Sequence, residues 1–371
     1  MALYIGLMSG TSLDGVDGVL VAGLDSPRPD VLAHQHGAYD GALRETLLRL
    51  NQPAPGELHH AALASNAVAR CYAAVVTQLL AAAGRPAADV TAIGAHGQTV
   101  RHRPHEFDRT GYTVQLLNGP LLAELSGIDV VCDLRGRDVA AGGEGAPLVP
   151  AFHAALFANP VEDVAVLNLG GIANLTLLPA RGDVLGFDCG PGNALMDGWC
   201  EAHLGQRFDD AGRWAAGGVV HEGLLASLLA DPYFQRPPPK STGRDLFHRA
   251  WLDTTLARLS AALSPQDVQA TLAEFSATAA ADALCRYAPA TRRLLVCGGG
   301  AFNHHLMARV AARAPGVDVR TTDAEGVPAD QVEALAFAWL AQAFVQRRPG
   351  NLPSVTGAAG LRVLGSLCPA R

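Results

Sequence analysis

The chain has 371 residues, 49% hydrophobic and only 17% charged, with a formal net charge of −7. That length favours two domains, and the apolar share suffices for two buried cores in a compact metabolic enzyme rather than a disordered or coiled chain. The negative balance, with no basic run, argues against a nucleic-acid partner.

Seven scattered cysteines, odd in number and without a CxxC pair, fit free thiols in a reducing compartment better than a disulfide framework or a zinc site. The opening MALYIGLMSG shows neither a basic leader region nor a cleavage site. No uninterrupted apolar stretch reaches the ~18 residues that a membrane helix needs. The expectation is a soluble, cytoplasmic protein without a membrane partner.

Short β-branched runs alternate with Ala- and Leu-rich stretches, which predicts an α/β fold. A strand meander is expected at Leu3–Ser9, Val16–Ala22 and Val31–Tyr39, then helices near Ala42–Leu50 and Leu58–Ala83. Strands follow at Val90–Ala95, ending on His96, at Tyr112–Leu116, and at Ile128–Cys132, ending on Asp133. The Gly-rich RGRDVAAGGEGAPLVP then separates two compositionally similar halves. A second meander is expected at Val164–Leu169, Ala173–Leu178 and Val184–Phe187. Helices near Ala194–Leu204, Val219–Leu229 and Pro265–Tyr287 come next, then strand Arg293–Val296 opening onto GGG, and helix Gln331–Phe344. The domain assignment is 1–135 and 136–349, with residues from about 350 to 371 free to pack on the first. Each half starts with a glycine-bearing strand–turn–strand, which suggests duplicated lobes around one cleft.

Three glycine turns, Ser9–Gly15, Asn168–Asn174 and Gly298–Asn303, each follow a predicted strand. Glycine permits close approach to a phosphate, and successive amides form an anion nest; any one of these turns is also what a plain hairpin requires. GGGAFN before HHLMARV reads as strand–turn–helix, a place for a nucleotide at a helix N-terminus. No GxxxxGK[ST] and no GxGxxG opening a βαβ unit occurs, which excludes a Walker ATPase and disfavours a dinucleotide fold.

Among the acids, Asp188 in GFDCGPGNALMD stands where an apolar run meets glycines, as a general base would, or as an Asp capping its own turn would. Glu333 starts a helix amid apolar residues, a position the helix dipole alone also favours. Asp14 and Asp17 suit either Mg²⁺ through water or turn stability. His96, Gln98 and Thr99 offer hydrogen-bonding groups for a sugar or amide, or form an ordinary polar loop. Arg135 and Arg137 suit a carboxylate, or a surface ion pair. The pairs His59–His60 and His304–His305 lack the acid or Cys spacing of a metal site.

Taken in order, IGLMSGTSLDGVD, HGQTVRHRP, DLRGRDVAAGGEGAPLVP, LNLGGIANLT, GFDCGPGN, PPPKSTGRD, CGGGAFN and EALAFAWLA resemble the anhydro-N-acetylmuramic acid kinases, from Ile5 to the NLPSVTGA segment. That family lies in the hexokinase–actin–chaperone ATPase superfamily. The resemblance therefore implies a two-lobed, duplicated actin-like or hexokinase-like ATPase fold with a central cleft.

It implies as well an enzyme that takes 1,6-anhydro-N-acetylmuramic acid, ATP and water to N-acetylmuramic acid 6-phosphate and ADP in peptidoglycan recycling, with Mg²⁺ and as a homodimer. By the same match Asp188 is the base. Gly10, Thr11, Ser12, Leu13, Asp14, Gly15, Val16 and Asp17 form the ATP-phosphate hairpin of the first lobe. Gly170 and Gly171 contact phosphates from the second, and Gly298, Gly299 and Gly300 lie on the adenosine side. His96, Gln98, Thr99, Arg135 and Glu333 are expected to line the sugar pocket.

Many superfamily members end the first strand of each lobe on a Mg²⁺-holding Asp. Met8 and Asn168 stand there here, so the metal ligands are unassigned, with water-mediated Asp14, Asp17 or Asp188 as candidates. Two rival readings are a conventional kinase acting on a free sugar hydroxyl, and a nucleotide-driven binding module.

Overall fold

The computed structural model describes residues 2–371 except Thr11, Pro27, Arg244, Asp245, Ser260 and Ala261. The chain divides into two compact units, Met1–Leu156 with Gln331–Arg371, and Phe157–Asp330.

In the first unit the described strands are β1 (Leu3–Met8), β2 (Gly15–Ala22), β3 (Asp30–Ala38), β4 (Val90–Ala95), β5 (Gln98–Pro104), β6 (Gly111–Leu116) and β7 (Val130–Cys132). The second unit contributes β8 (Val164–Leu169), β9 (Ile172–Leu178), β10 (Leu185–Pro191), β11 (Arg293–Cys297) and β12 (Asp318–Thr321), and the tail supplies β13 (Ser366–Cys368). One sheet runs β13-β7-β4-β1-β2-β3 and another β10-β9-β8-β11-β12. In the first, β1 is antiparallel to β2 and β2 to β3, while β1–β4 and β4–β7 are parallel. In the second, β8–β9 and β9–β10 are antiparallel, while β8–β11 and β11–β12 are parallel. Five strands thus repeat in the same order and sense, the duplication expected from the two glycine-bearing meanders.

Alternation along β1 serves both faces of its sheet. Helix Glu57–Ala83 lays Val68, Tyr72, Val75, Val76 and Leu79 on one face, each worth ~1.5–3 kcal/mol when fully buried. Its length and composition are those of a membrane span, but that apolar stripe belongs to the sheet. Gly18 sits beneath it, where a Cβ would meet Val75 Cγ1 at 2.6 Å. Helix Val332–Val345 covers the other face. It comes so close that a Cβ on Gly6 would stand 1.8 Å from the Ala334 carbonyl oxygen and one on Gly94 1.9 Å from that of Phe337.

This corrects the expected boundary. Residues 331–349 belong to the first unit because Gly6 and Gly94 make room for their helix. Residues 136–156 belong there too, in part because Asp138, fully buried, accepts hydrogen bonds from Asn351 Nδ2 at 2.7 Å and Thr356 Oγ1 at 2.9 Å. The tail continues this anchoring, with β13 antiparallel to β7.

In the second unit, helix Pro265–Tyr287 is capped by Ser264, whose side chain accepts from the Asp267 amide, with proline at its first turn. It is buried almost throughout from Val268 to Leu284, and helix His304–Arg313 packs along it.

Candidate active site

The bend between β1 and β2 is fastened from below. The Ser9 hydroxyl, 1% exposed, donates to the Gly97 carbonyl at 3.0 Å and lies 2.7 Å from the Tyr72 hydroxyl, which in turn accepts the Gly97 amide at 3.1 Å. Leu13 adopts a left-handed φ of 57° with its side chain buried, so an apolar anchor holds the tip. Ser12 Oγ donates to Asp14 Oδ1 at 2.6 Å. Thr11, expected among the phosphate contacts, lies outside the described residues.

His96 supports the same bend. Its Nδ1 meets the Ser9 carbonyl at 3.2 Å and Arg135 Nε donates to its Nε2 at 2.9 Å. These partners assign the Nδ1–H tautomer. Burial, then the Arg135 charge, push the imidazole well below its usual pKa, so it is neutral. Its ring also lies 4.8 Å from that of Phe337. With both nitrogens engaged, His96 positions Arg135 and the bend.

Arg135 Nη1 further donates to the Gly145 carbonyl at 2.8 Å. Gln98 Nε2 donates to the Gly10 carbonyl at 3.0 Å, while its buried Oε1 lacks a partner among the described residues. Thr99 Oγ1 accepts from Gln115 Nε2 at 3.2 Å. HGQTVRHRP, read as a strand end and polar loop, forms β5, paired with β6 in its own two-stranded sheet. Glu333 stands half-buried in the first turn of helix Val332–Val345. Asp17 Oδ1 lies 2.8 Å from His36 Nδ1.

The first unit holds two further neutral histidines. Burial lowers His102 to about 4 and His153 to about 3. Once unfolded, such side chains protonate near pH 6.5. A lowered folded pKa therefore gives stability that is complete above about pH 6.5 and drains as pH falls toward 4. The urea midpoint is expected to decline over that window, and His102→Gln to flatten the decline. A profile unchanged by the substitution would contradict the burial of this ring.

In the second unit the β8–β9 turn is pinned by the chain following β10. The amides of Asn193, Gly192 and Ala194 donate to the carbonyls of Gly170 (2.8 Å), Gly171 (3.0 Å) and Gly171 (3.1 Å). Asn193 Nδ2 holds the Leu169 carbonyl at 2.8 Å. Gly298, at φ 82°, passes so close that a Cβ would stand 2.3 Å from Asn168 Oδ1. That oxygen is buried and lacks a partner among the described residues.

Asp188 lies within β10, whose register slips between Asp188 and Gly190. Such a bulge re-aims a side chain. The residue is half-buried and held at several points. The Thr242 amide donates to Oδ2 at 2.9 Å, the Asp188 amide donates to the Lys240 carbonyl at 3.2 Å, and the Tyr233 hydroxyl donates to the Asp188 carbonyl at 2.6 Å. Lys240, the only lysine of the chain, is buried with its Nζ 4.7 Å from the Tyr233 ring centroid. A partly exposed carboxylate fixed in this way is equipped to take a proton from water or a hydroxyl.

The model of the anhydro-N-acetylmuramic acid kinase family matches residues 2–370. The chain is 60% identical over 373 residues to the anhydro-N-acetylmuramic acid kinase of Variovorax paradoxus, covering 99% of both chains. It is 58% identical over 368 residues to that of Cupriavidus pinatubonensis, covering 99% of this chain and 98% of the relative.

The chain belongs to the anhydro-N-acetylmuramic acid kinase family.

Among solved structures it is similar to the activator of the 2-hydroxyisocaproyl-CoA dehydratase from Clostridium difficile with bound ADPNP, at 12% identity. That match covers 93% of this chain and 96% of the activator, with a TM-score of 0.49.

A kinase of this family needs room for triphosphate oxygens, and the glycines sort by whether they leave it. A Cβ on Gly15 would collide with the Gly37 carbonyl oxygen at 2.3 Å, and one on Gly300 with Leu169 Cβ at 2.5 Å. These two serve packing, as Gly298 does. A Cβ on Gly10, Gly170 or Gly299 would meet nothing nearer than 3.5 Å, so their bare backbones border open space. Val16 is fully buried, so its side chain belongs to the core.

Among the described residues there is no group of three His, Cys, Asp or Glu that could hold a metal ion. Mg²⁺ would be held only as an ion that keeps most of its waters; the first unit offers the Asp14 carboxylate as an acceptor, and the second, by itself, the buried Asn168 Oδ1. Sequence reading missed Tyr233, Lys240 and Thr242. The signal was PPPKST, whose lone lysine follows three prolines.

Proposed function

We propose that this chain is an ATP-dependent kinase that hydrolytically opens 1,6-anhydro-N-acetylmuramic acid and phosphorylates O6, giving N-acetylmuramic acid 6-phosphate and ADP in cell-wall recycling. The observation carrying the reading is the full-length match to the family. The fixed carboxylate of Asp188 supports the chemistry.

In the anhydro sugar O6 is bonded to C1, so no free hydroxyl exists to attack phosphorus. Asp188 takes a proton from water, the water oxygen bonds to C1, the C1–O6 bond breaks, and O6 takes the γ-phosphoryl as ADP leaves. Aligning water with C1 and removing its proton combine proximity with general base catalysis, the latter alone typically ~10²–10⁴ in rate. Bound Mg²⁺ would neutralise phosphate charge.

The reading assigns the phosphates to the Gly10–Asp14 bend and the Gly170–Gly171 turn, and the adenosine side to Gly298–Gly300. It assigns the sugar to Gln98, Thr99, Arg135 and Glu333, with Arg135 held in position by His96. It carries a cytoplasmic setting and a homodimer, the latter supported by family resemblance alone.

Reaction in ¹⁸O-labelled water tests the chemistry. One label at C1 of the 6-phosphate is expected; unlabelled product would mean that phosphorylation proceeds without hydrolysis, as in a conventional sugar kinase. The sorting of glycines gives a second result. Gly10→Ala is expected to raise the KM for ATP with urea stability kept, whereas Gly300→Ala should lose about 1–3 kcal/mol of stability. Equal stability of the two variants would remove the distinction between them.

A further inference from the structure

The first unit contains a concavity of about 550 Å³, lined by Arg137, Arg347 and Arg362 together with Phe344, Leu361 and Val363. Among the described residues none of the three guanidiniums has a carboxylate within 4.0 Å, although other arginines of the unit are paired. Arg348, next in sequence to Arg347, lies 3.5 Å from Asp25, and Arg101 lies 2.9 Å from Glu57.

A helix C-terminus explains one cation near Val345 through the macrodipole. It does not explain three drawn from separate segments: Arg137 from helix Gly136–Ala140, Arg347 after helix Val332–Val345, and Arg362 from the tail. In a chain of net charge −7, three like charges share one partly apolar wall; Arg137 and Arg347 are exposed, and Arg362 Nη1 donates to the Leu361 carbonyl at 2.9 Å. The guanidinium fork suits phosphate and carboxylate.

Phe344 lies eleven residues along the helix from Glu333, or about 16 Å at 1.5 Å per residue, which separates this wall of the concavity from Glu333, while Arg137 follows Arg135 by two residues. A hydrogen-bond chain nonetheless links the two places. The Arg362 amide donates to Asn351 Oδ1 at 2.7 Å, Asn351 Nδ2 donates to Asp138 Oδ1 at 2.7 Å, and Asp138 Oδ2 accepts the Gly145 amide at 2.8 Å. The Gly145 carbonyl accepts Arg135 Nη1, and Arg135 Nε reaches His96, which holds Ser9.

We propose that the Arg137–Arg347–Arg362 concavity binds a small organic anion bearing a phosphate ester or several carboxylates, and that its occupancy strengthens sugar binding through Asp138. The anion bridges helix Gly136–Ala140 to the tail and orders both ends of the Asp138 cluster. Order imposed there no longer has to be imposed when the sugar binds, which is positive coupling, and the coupling is reciprocal. The binding half stands on the concavity alone. The coupling half rests on the kinase reading.

Calorimetric titration of the full chain, saturated with a non-hydrolysable ATP analogue to fill the phosphate turns, tests the site with glucose 6-phosphate and with citrate as separate probes. One site per chain is expected for at least one probe, which tells phosphate ester from carboxylate. Binding should weaken at least tenfold in Arg347→Gln/Arg362→Gln, and likewise in Arg137→Gln should the double variant fold poorly. No binding by either probe, or equal binding to wild type and variants, overturns the site. The probe that binds should lower the KM for the anhydro sugar at least threefold in wild type and not in the double variant. A KM that the probe leaves unchanged overturns the coupling while leaving the site standing, and an inactive wild-type enzyme would count against the kinase reading instead.

Discussion

Asp188→Asn is expected to lower kcat for sugar phosphorylation by about 10²–10⁴-fold, the usual contribution of a general base, with the KM for ATP little changed. The amide keeps the size of the carboxylate, and its oxygen can still accept the Thr242 amide that now meets Oδ2 at 2.9 Å. The backbone bonds to Lys240 and Tyr233 do not involve the side chain. Stability should therefore stay near wild type, and the loss isolates proton acceptance from architecture. Steady-state ADP release with product mass measured in parallel checks it. Retention of full turnover would remove Asp188 from the chemistry and favour a nucleotide-driven binding module.

Much of the scaffold was legible because each meander strand carries its own apolar run. The observed β1, β4, β8 and helix Pro265–Tyr287 fall within a residue of their expected bounds. β5 was not legible. QTVRHRP alternates little apolar surface, since its sheet has only two strands and needs no continuous buried face. The placement of 331–349 was not legible either, because contiguity in sequence argued for the second lobe. The evidence for the first lies in Gly6 and Gly94, whose missing side chains read as nothing until a helix is seen against them.

The site was legible in residue type and less so in role. Glycines at 10, 15, 170, 298 and 300 look alike in sequence, yet Gly15, Gly298 and Gly300 are required by neighbouring backbone or side chains and Gly10 and Gly170 are not. Only the surroundings separate a glycine that admits a ligand from one that admits the protein's own chain. His96 likewise reads in sequence only as a polar group, and its two nitrogens' partners, Ser9 and Arg135, are visible only in the fold. Thr242 acts through a backbone amide, which any residue but proline supplies, so side-chain chemistry could not have pointed to it.

A large loss of stability is expected from Gly94→Ala. The added Cβ would stand 1.9 Å from the Phe337 carbonyl oxygen, 2.7 Å from its carbon and 3.1 Å from Ala341 Cβ. Backbone atoms at the centre of a helix cannot yield by a change of rotamer, so the helix itself must move. That helix buries Leu335, Phe337 and Leu340, and lifting it off the sheet should cost about 3 kcal/mol or more, at or beyond the usual range for an overpacked core. Gly41→Ala is the control, because a Cβ there meets nothing within 4 Å. It lies at the start of a helix and should hold or raise stability by about 0.5–1 kcal/mol. The same displacement would shift Glu333 in the first turn of the moved helix, so any folded Gly94→Ala should also show a raised KM for the sugar. Urea unfolding of both variants decides it. A wild-type midpoint for Gly94→Ala would mean that helix and sheet do not approach this closely, and residues 331–349 would lose their reason for joining the first unit.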